Sequence, residues 1–170
     1  MPPQTAEDEA LSDFDPKTFT ASALFARTFD EGMSLVEETA RYLDGKGREE
    51  SRELPRKAAL LYAGESMRVT TRLMQAASWL LVQRAVQEGD MNPEDAAGDR
   101  YRLGSKEICF GGREEGLDIL PKMLCDLLER SDNLYRRIAR LDEVLFDRTK
   151  LGEPAVKAQF ARLHEAFGGE

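Results

Sequence analysis

Histidine is almost missing from this chain and cysteine is scarce: one of the former and two of the latter in 170 residues. A lone imidazole, His164, leaves nothing from which to build a histidine-centred triad or a histidine-rich metal site. It sits beside Leu163 near the C-terminal end, not mid-bundle where a phosphotransfer histidine belongs. Cys109 and Cys125 make no disulfide framework for a chain of this size, and their separation fits no common zinc spacing. Cys125 falls beside the apolar seam of a helix and reads as a small core hydrophobe, whereas Cys109 lies in a glycine-rich stretch open to solvent. Positive charge is also in deficit. With 24 Lys and Arg against 32 Asp and Glu, the net charge is -8 and the pI near 4.9. That balance opposes general affinity for nucleic acid or anionic lipid. No run of 18 or more apolar residues is present. The first residues hold neither a basic n-region nor an apolar h-region, so the expectation is a cytoplasmic protein. Walker A, dinucleotide, nucleophile-elbow and Glu-x-x-His signatures are all missing, and no cofactor is expected. The adjacent carboxylates Glu37–Glu38 and Glu49–Glu50 diverge by about 100° on a helix and read as solvated faces.

What the chain does have is helical rhythm. Residues 1–17 carry three prolines and no periodicity. Glu7, Asp8, Glu9, Asp13 and Asp15 fall there, with no Lys or Arg among the first 15 residues, so this stretch reads as a disordered acidic tail. A bundle is expected over 18–147, with helices at about 18–43, 54–88 and 118–147. The first, capped near Thr18 or Thr20, carries Phe25, Phe29, Gly32, Val36, Ala40 and Leu43 at alternating steps, a stripe widened by Leu24, Met33 and Leu35, and Asp44–Gly47 ends it with a left-handed glycine. The second opens beside Pro55 and stops at Gly89. Its row Leu60, Gly64, Met67, Thr71, Met74, Ser78, Leu81, Ala85 and its neighbour Ala59, Ala63, Ser66, Thr70, Leu73, Ala77, Leu80 together read as a wide buried face, with Met67 and Met74 as core filling. Asn92-Pro93-Glu94 signals a short helix to about Ala97 inside a long connection over 89–117, where five glycines fall between Gly98 and Gly116. The third helix has the clearest seam: Leu120, Leu124, Leu127, Ser131, Leu134, Ile138, Leu141 and Leu145, with Pro121 in its first turn. The rhythm lapses at Thr149–Pro154. A short amphipathic piece bearing Val156, Phe160, Leu163 and Phe167 closes the chain, so 148–170 reads as a mobile segment that docks or folds on a partner. The fold class is therefore all-α, an antiparallel three-helix bundle with flexible N- and C-terminal segments.

Two groups of residues stand out as contact candidates. Glu65, Arg68 and Arg72 stack at helical spacing, and Gln75, Trp79 and Val82 extend the same stripe. An intrahelical ion pair accounts for the charges; a recognition ridge accounts for the whole stripe, because Arg and Trp dominate interface hot spots. Surplus apolar surface near Trp79, Val82 and Val86 points to self-association. Phe160, Leu163 and Phe167 form the second group. An Arg-rich face on the third helix (Arg130, Arg136, Arg137, Arg140) is what a DNA-binding reading would rest on, against the net charge.

Gly32-Met33-Ser34-Leu35-Val36-Glu37-Glu38-Thr39-Ala40-Arg41-Tyr42-Leu43-Asp44-Gly45, then Tyr62–Arg68, Thr70–Gln75, Ala77–Leu81 and Gln83–Val86, resemble an alphaproteobacterial family, the regulator of CtrA degradation or RcdA family. The resemblance is strong over 19–90 and compatible in layout through the third helix, with Gly64 where alanine is expected. It implies a dimeric three-helix bundle without enzymatic activity, an adaptor for the ClpXP protease in the cell cycle. Such adaptors join a response-regulator-primed protease, recruit cargo proteins, engage a further adaptor that binds cyclic di-GMP, and concentrate at a cell pole. The family's C-terminal tail role maps to 148–170. A structural or assembly dimer unrelated to proteolysis is the competing reading.

Overall fold

In the computed structural model, residues 22–111 and 115–167 are described, with side chains as far as Phe146. The acidic stretch 1–17 and the expected helix start at Thr18 or Thr20 lie outside the described residues. Six α-helices and no strand occur among those described. The first, α1 (Ala23–Asp44), is capped by Ser22, whose Oγ accepts from the Phe25 N–H at 3.2 Å. Its buried row is Phe25, Thr28, Gly32, Leu35, Thr39 and Tyr42, which shares Phe25, Gly32 and the flanking Leu35 with the expected stripe. Threonine is admitted at Thr28 because its hydroxyl donates to the Leu24 carbonyl at 2.9 Å, leaving no polar demand in the core. Phe29, Val36 and Leu43 pack at the margin, while Ala40 is exposed.

Gly45 ends α1 with φ -111°, so the left-handed glycine expected there is absent, and the chain restarts at once as α2 (Lys46–Glu53), a helix the sequence reading had not anticipated. Gly47 lets α2 settle against its neighbours. A Cβ on it would lie 2.6 Å from the Tyr62 hydroxyl oxygen and 2.8 Å from the Tyr42 carbonyl oxygen. The spine α3 (Arg56–Gln87) follows Pro55, and Gly89, at φ 80°, turns the chain away after it. Asn92 caps the short α4 (Pro93–Ala96) as expected, its Oδ1 accepting from the Glu94 N–H at 3.2 Å. Then come a 3-10 turn at Asp99–Tyr101, α5 (Lys106–Cys109) and a second 3-10 turn at Leu117–Ile119.

The last helix, α6 (Lys122–Phe167), opens directly after Pro121, and all eight residues of its expected seam are buried, Leu120 just ahead of it included. It is continuous for 46 residues. The break expected at Thr149–Pro154, and with it a separate terminal helix, gives way to one uninterrupted element. Elongation adds little cost once a helix exists, and Ala155, Lys157, Ala158 and Gln159 are good helix formers beyond the proline.

Contacts give the directions. Arg84 lies over the Phe29 ring at 4.8 Å, Gly32 abuts Leu80 and Tyr42 meets Tyr62, so α1 and α3 are antiparallel. Arg130 pairs with Glu38 and Arg137 with Glu31, so α1 and α6 are antiparallel as well. Arg72 reaches Leu128 and Trp79 reaches Asp142, so α3 and α6 run the same way. The expected all-α bundle is present, but α6 runs parallel to α3 where an antiparallel third helix was expected, and the long connection is the reason. A chain leaving the end of α3 must travel back along the bundle before α6 can begin, and 88–121 is that return crossover.

Candidate interaction surface

The stripe read as a recognition ridge does recognise a partner, and that partner is the chain itself, its crossover and α6. Arg72 is buried; its Nε donates to the Cys109 carbonyl at 2.9 Å and Nη1 to the Leu128 carbonyl at 3.2 Å, and Nη2 stands 3.3 Å from Asp132. Gln75 Oε1 accepts from the Gly104 N–H at 3.0 Å, and Tyr135 donates its hydroxyl proton to the Gly104 carbonyl at 2.8 Å. Trp79 is 2% exposed and donates from Nε1 to Asp142 Oδ1 at 3.0 Å; the other oxygen of Asp142 accepts from Arg102 Nε at 3.2 Å. Arg102 then stacks over Phe146, 3.8 Å from the ring centre. Arg68 pairs with buried Glu65 at 2.8 Å, and Val82 is half-buried. Arg72 and Trp79 are therefore not on the surface. The residue types that anchor interfaces between proteins are spent here on an interface within one.

Cys109 is likewise corrected: it is fully buried, and burial pushes its thiol above the ordinary range, as it does at Cys125. A recess of about 370 Å³ lies between α3, α6 and Gly111. Its arginines, Arg68, Arg72 and Arg136, are met by Glu65, Asp118, Glu129 and Asp132, so it offers no surplus of positive charge to an anion. Three of the four arginines on the Arg-rich face of α6 are neutralised too. Arg130 holds Glu38 through two hydrogen bonds of 2.9 and 2.7 Å, Arg137 holds Glu31 at 2.8 Å, and Arg136 holds Asp132 at 2.8 Å. That leaves little for a phosphate backbone to neutralise. Among the described residues no group of three or more His, Cys, Asp or Glu side chains could hold a metal ion, and no helix is long and apolar enough to cross a membrane.

The row taken for core on α3 is the outward one. Leu60, Met67, Met74 and Leu81 are 67%, 71%, 65% and 53% exposed, and Gly64 and Ser78 are exposed between them. The inward row is Ala58, Tyr62, Glu65, Val69, Arg72, Ala76, Trp79 and Gln83, with Leu73 and Leu80 beside it. Apolarity alone assigned the faces the wrong way round, because the crossover needs polar anchors from inside. A signal for the true assignment was available. Glu65, Arg72 and Trp79 recur at steps of seven, and the row opposite carries no charge between Lys57 and Arg84. Phe160, Leu163 and Phe167 are on α6, with side chains outside those described.

Comparison with known proteins places this architecture. A family described as "Protein of unknown function (DUF1465)" matches residues 16–167. No curated protein matches the chain. A solved structure, that of RcdA from Caulobacter crescentus CB15, is 54% identical over 74% of this chain and 92% of that one, with a TM-score of 0.60.

Proposed function

From the premise that this chain belongs to the RcdA family, within the DUF1465 group, we propose that it is a non-catalytic adaptor of regulated proteolysis. It links cargo proteins, and a partner adaptor that binds cyclic di-GMP, to a response-regulator-primed ClpXP protease. It acts in the cytoplasm as a homodimer recruited to a cell pole during the cell cycle. The observation that carries this reading is the 54% identity sustained over 92% of the related chain. The geometry supports it in two further ways. The body uses Arg72 and its one tryptophan on its own crossover and on α6, while a long uncharged face of α3 is left for other molecules. An adaptor of this kind creates no chemistry; holding cargo beside a protease raises the local concentration of substrate, which alone can change the rate by orders of magnitude.

The test is capture on immobilised protein from a reconstituted mixture of protease, response regulator and cargo. Full-length chain retains the primed protease, and removal of 148–170 abolishes retention of at least one component while the bundle still melts cooperatively. Retention of none of them by the full chain would leave the assembly-dimer reading in its place.

A further inference from the structure

Cations are in deficit in this chain, and those of the long helices are mostly matched: Arg41, Arg84, Arg130, Arg136 and Arg137 each hold a carboxylate. The corner where α2 hands over to α3 is the exception. Arg48, Arg52, Arg56 and Lys57 are all exposed there, and among the described residues none of them has a carboxylate at ion-pair distance. Helical geometry keeps the two signs on α2 apart. Arg48 and Arg52 lie one turn apart on one flank, whereas Lys46, Glu50 and Glu53 line a cleft on the other, beside Leu54 and Met123. Glu49 falls between the flanks, and Glu50 is engaged by Lys46 at 3.7 Å and by the Tyr42 hydroxyl at 2.8 Å. Like charges one turn apart weaken a helix of only eight residues, so an anion laid along Arg48 and Arg52 strengthens α2.

The basic flank borders a groove of about 320 Å³ in which Arg48 and Ser51 face Tyr62, Ser66 and Thr70 of α3. Arg56 opens the α3 row Ala59, Ala63, Ser66 and Thr70 that walls it. The hydroxyl protons of this groove are engaged. Ser51 donates to the Arg48 carbonyl at 2.8 Å, Ser66 to Ala63 at 2.9 Å and Thr70 to Ser66 at 2.7 Å. What they leave is lone pairs, which accept from the N–H groups of an extended backbone, while the guanidinium groups take its carboxylates.

The chain carries the complement. Glu7, Asp8, Glu9, Asp13 and Asp15 fall in its first 15 residues, with no Lys or Arg among them. This stretch joins the described body at Ser22, the end of α1 remote from the basic corner. From Ala23 to Asp44, α1 covers about 33 Å at 1.5 Å per residue. Extended chain covers about 3.3 Å per residue, so Asp15 reaches roughly 23 Å from Ser22 and falls short. Glu7, Asp8 and Glu9 reach roughly 43–50 Å and arrive with slack.

We propose that the acidic stretch Glu7–Glu9 turns back along α1 and docks, within its own chain, on Arg48, Arg52 and Arg56 at the corner between α2 and α3. Each pairing is weak at an exposed site and is screened by salt. Tethering compensates, because so short a connection holds the acids near the corner at about millimolar effective concentration. While the stretch is seated, an acidic segment of another protein must displace it to reach these arginines. The contact lies within one chain and stands independently of the adaptor reading.

The experiment uses full-length protein carrying Arg48→Lys and Arg52→Lys, which keep the charge and add amines that a carbodiimide joins to neighbouring carboxylates. At about 20 mM salt, peptide mapping finds Glu7, Asp8 or Glu9 joined to residue 48 or 52 within single chains, and about 0.5 M salt cuts the yield at least fivefold. Lys106 is the internal control. It pairs with Glu143, and the Arg130–Glu38 and Arg137–Glu31 pairs set Glu143 level with the start of α1, so a tail meeting amines at random finds Lys106 first. Links to residues 48 and 52 outnumber those to Lys106. In an otherwise native chain, Glu7→Gln, Asp8→Asn and Glu9→Gln together speed amide exchange in α2 about threefold or more and leave α6 unchanged. Links that favour Lys106, that form only between chains or that persist undiminished in high salt overturn the docking, as does unchanged exchange in α2. Cooperative melting of each variant keeps a folding fault from passing for either result.

Discussion

Arg72 uses all three arms of its guanidinium indoors, on two backbone carbonyls and one carboxylate. Burial lowers its proton affinity more than Asp132 restores it, so the charge is held at a cost that only the crossover justifies. Arg72→Met is predicted to destabilise the protein by about 3 kcal/mol, because the Cys109 and Leu128 carbonyls and Asp132 all lose their partner. Urea unfolding measures the loss, and amide exchange should quicken across 104–110. A loss below about 1 kcal/mol would mean the anchor is idle. At Glu38, hydrogen bonds from Arg130 hold the carboxyl below the usual range despite some burial. The sign follows: this pairing contributes stability above the unfolded-state value near 4.5 and surrenders it as pH falls through the lower folded-state value. Both side chains are more than a third exposed, so the contribution is modest. The urea midpoint of the native chain should exceed that of Glu38→Gln at pH 6, and the two should converge near pH 3. A gap that is constant across that range would contradict the assignment.

At the scale of elements, α6 was readable and α3 was not, for one physical reason. Seven of the eight α6 seam positions are apolar, and Ser131 satisfies itself on the Leu128 carbonyl at 3.0 Å, so apolarity and burial coincide. On α3 they separate. Its inward side must bind the backbone of a crossover, and Arg72 and Gln75 serve there while leucines and methionines face out. The seam of α1 slipped for a milder version of the same cause, Thr28 and Thr39 being buried in place of Phe29 and Ala40. The arrival of α2 was hidden in a segment that reads as a polar turn. It depends on Gly47, whose fit between Tyr42 and Tyr62 is a property of three elements together. Gly47→Ala places a methyl against backbone at 2.8 Å, so a loss of about 1–3 kcal/mol is expected in thermal or urea unfolding. An unchanged melting temperature would show that α2 is free to shift.

The whole molecule is a bundle braced by its own return strap, with α3 and α6 running the same way and α1 against both. Composition and a long resemblance carried the fold class and the family at the outset. The direction of α6 and the role of the crossover could not be read there, because they follow from which long-range pairs form. The candidate surface moved from the ridge to the opposite side of the same helix for the reason seen at Arg72 and Trp79. What remains outward along α3 is uncharged between Lys57 and Arg84. In the proposed function this body acts by holding other proteins together. The most direct measurement is the degradation rate of a tethered cargo by response-regulator-primed ClpXP, titrated with the purified chain. The rate is expected to rise, to saturate as the chain matches the protease in amount and then to fall as excess chain separates cargo from protease. A rate that stays flat at every concentration would contradict it.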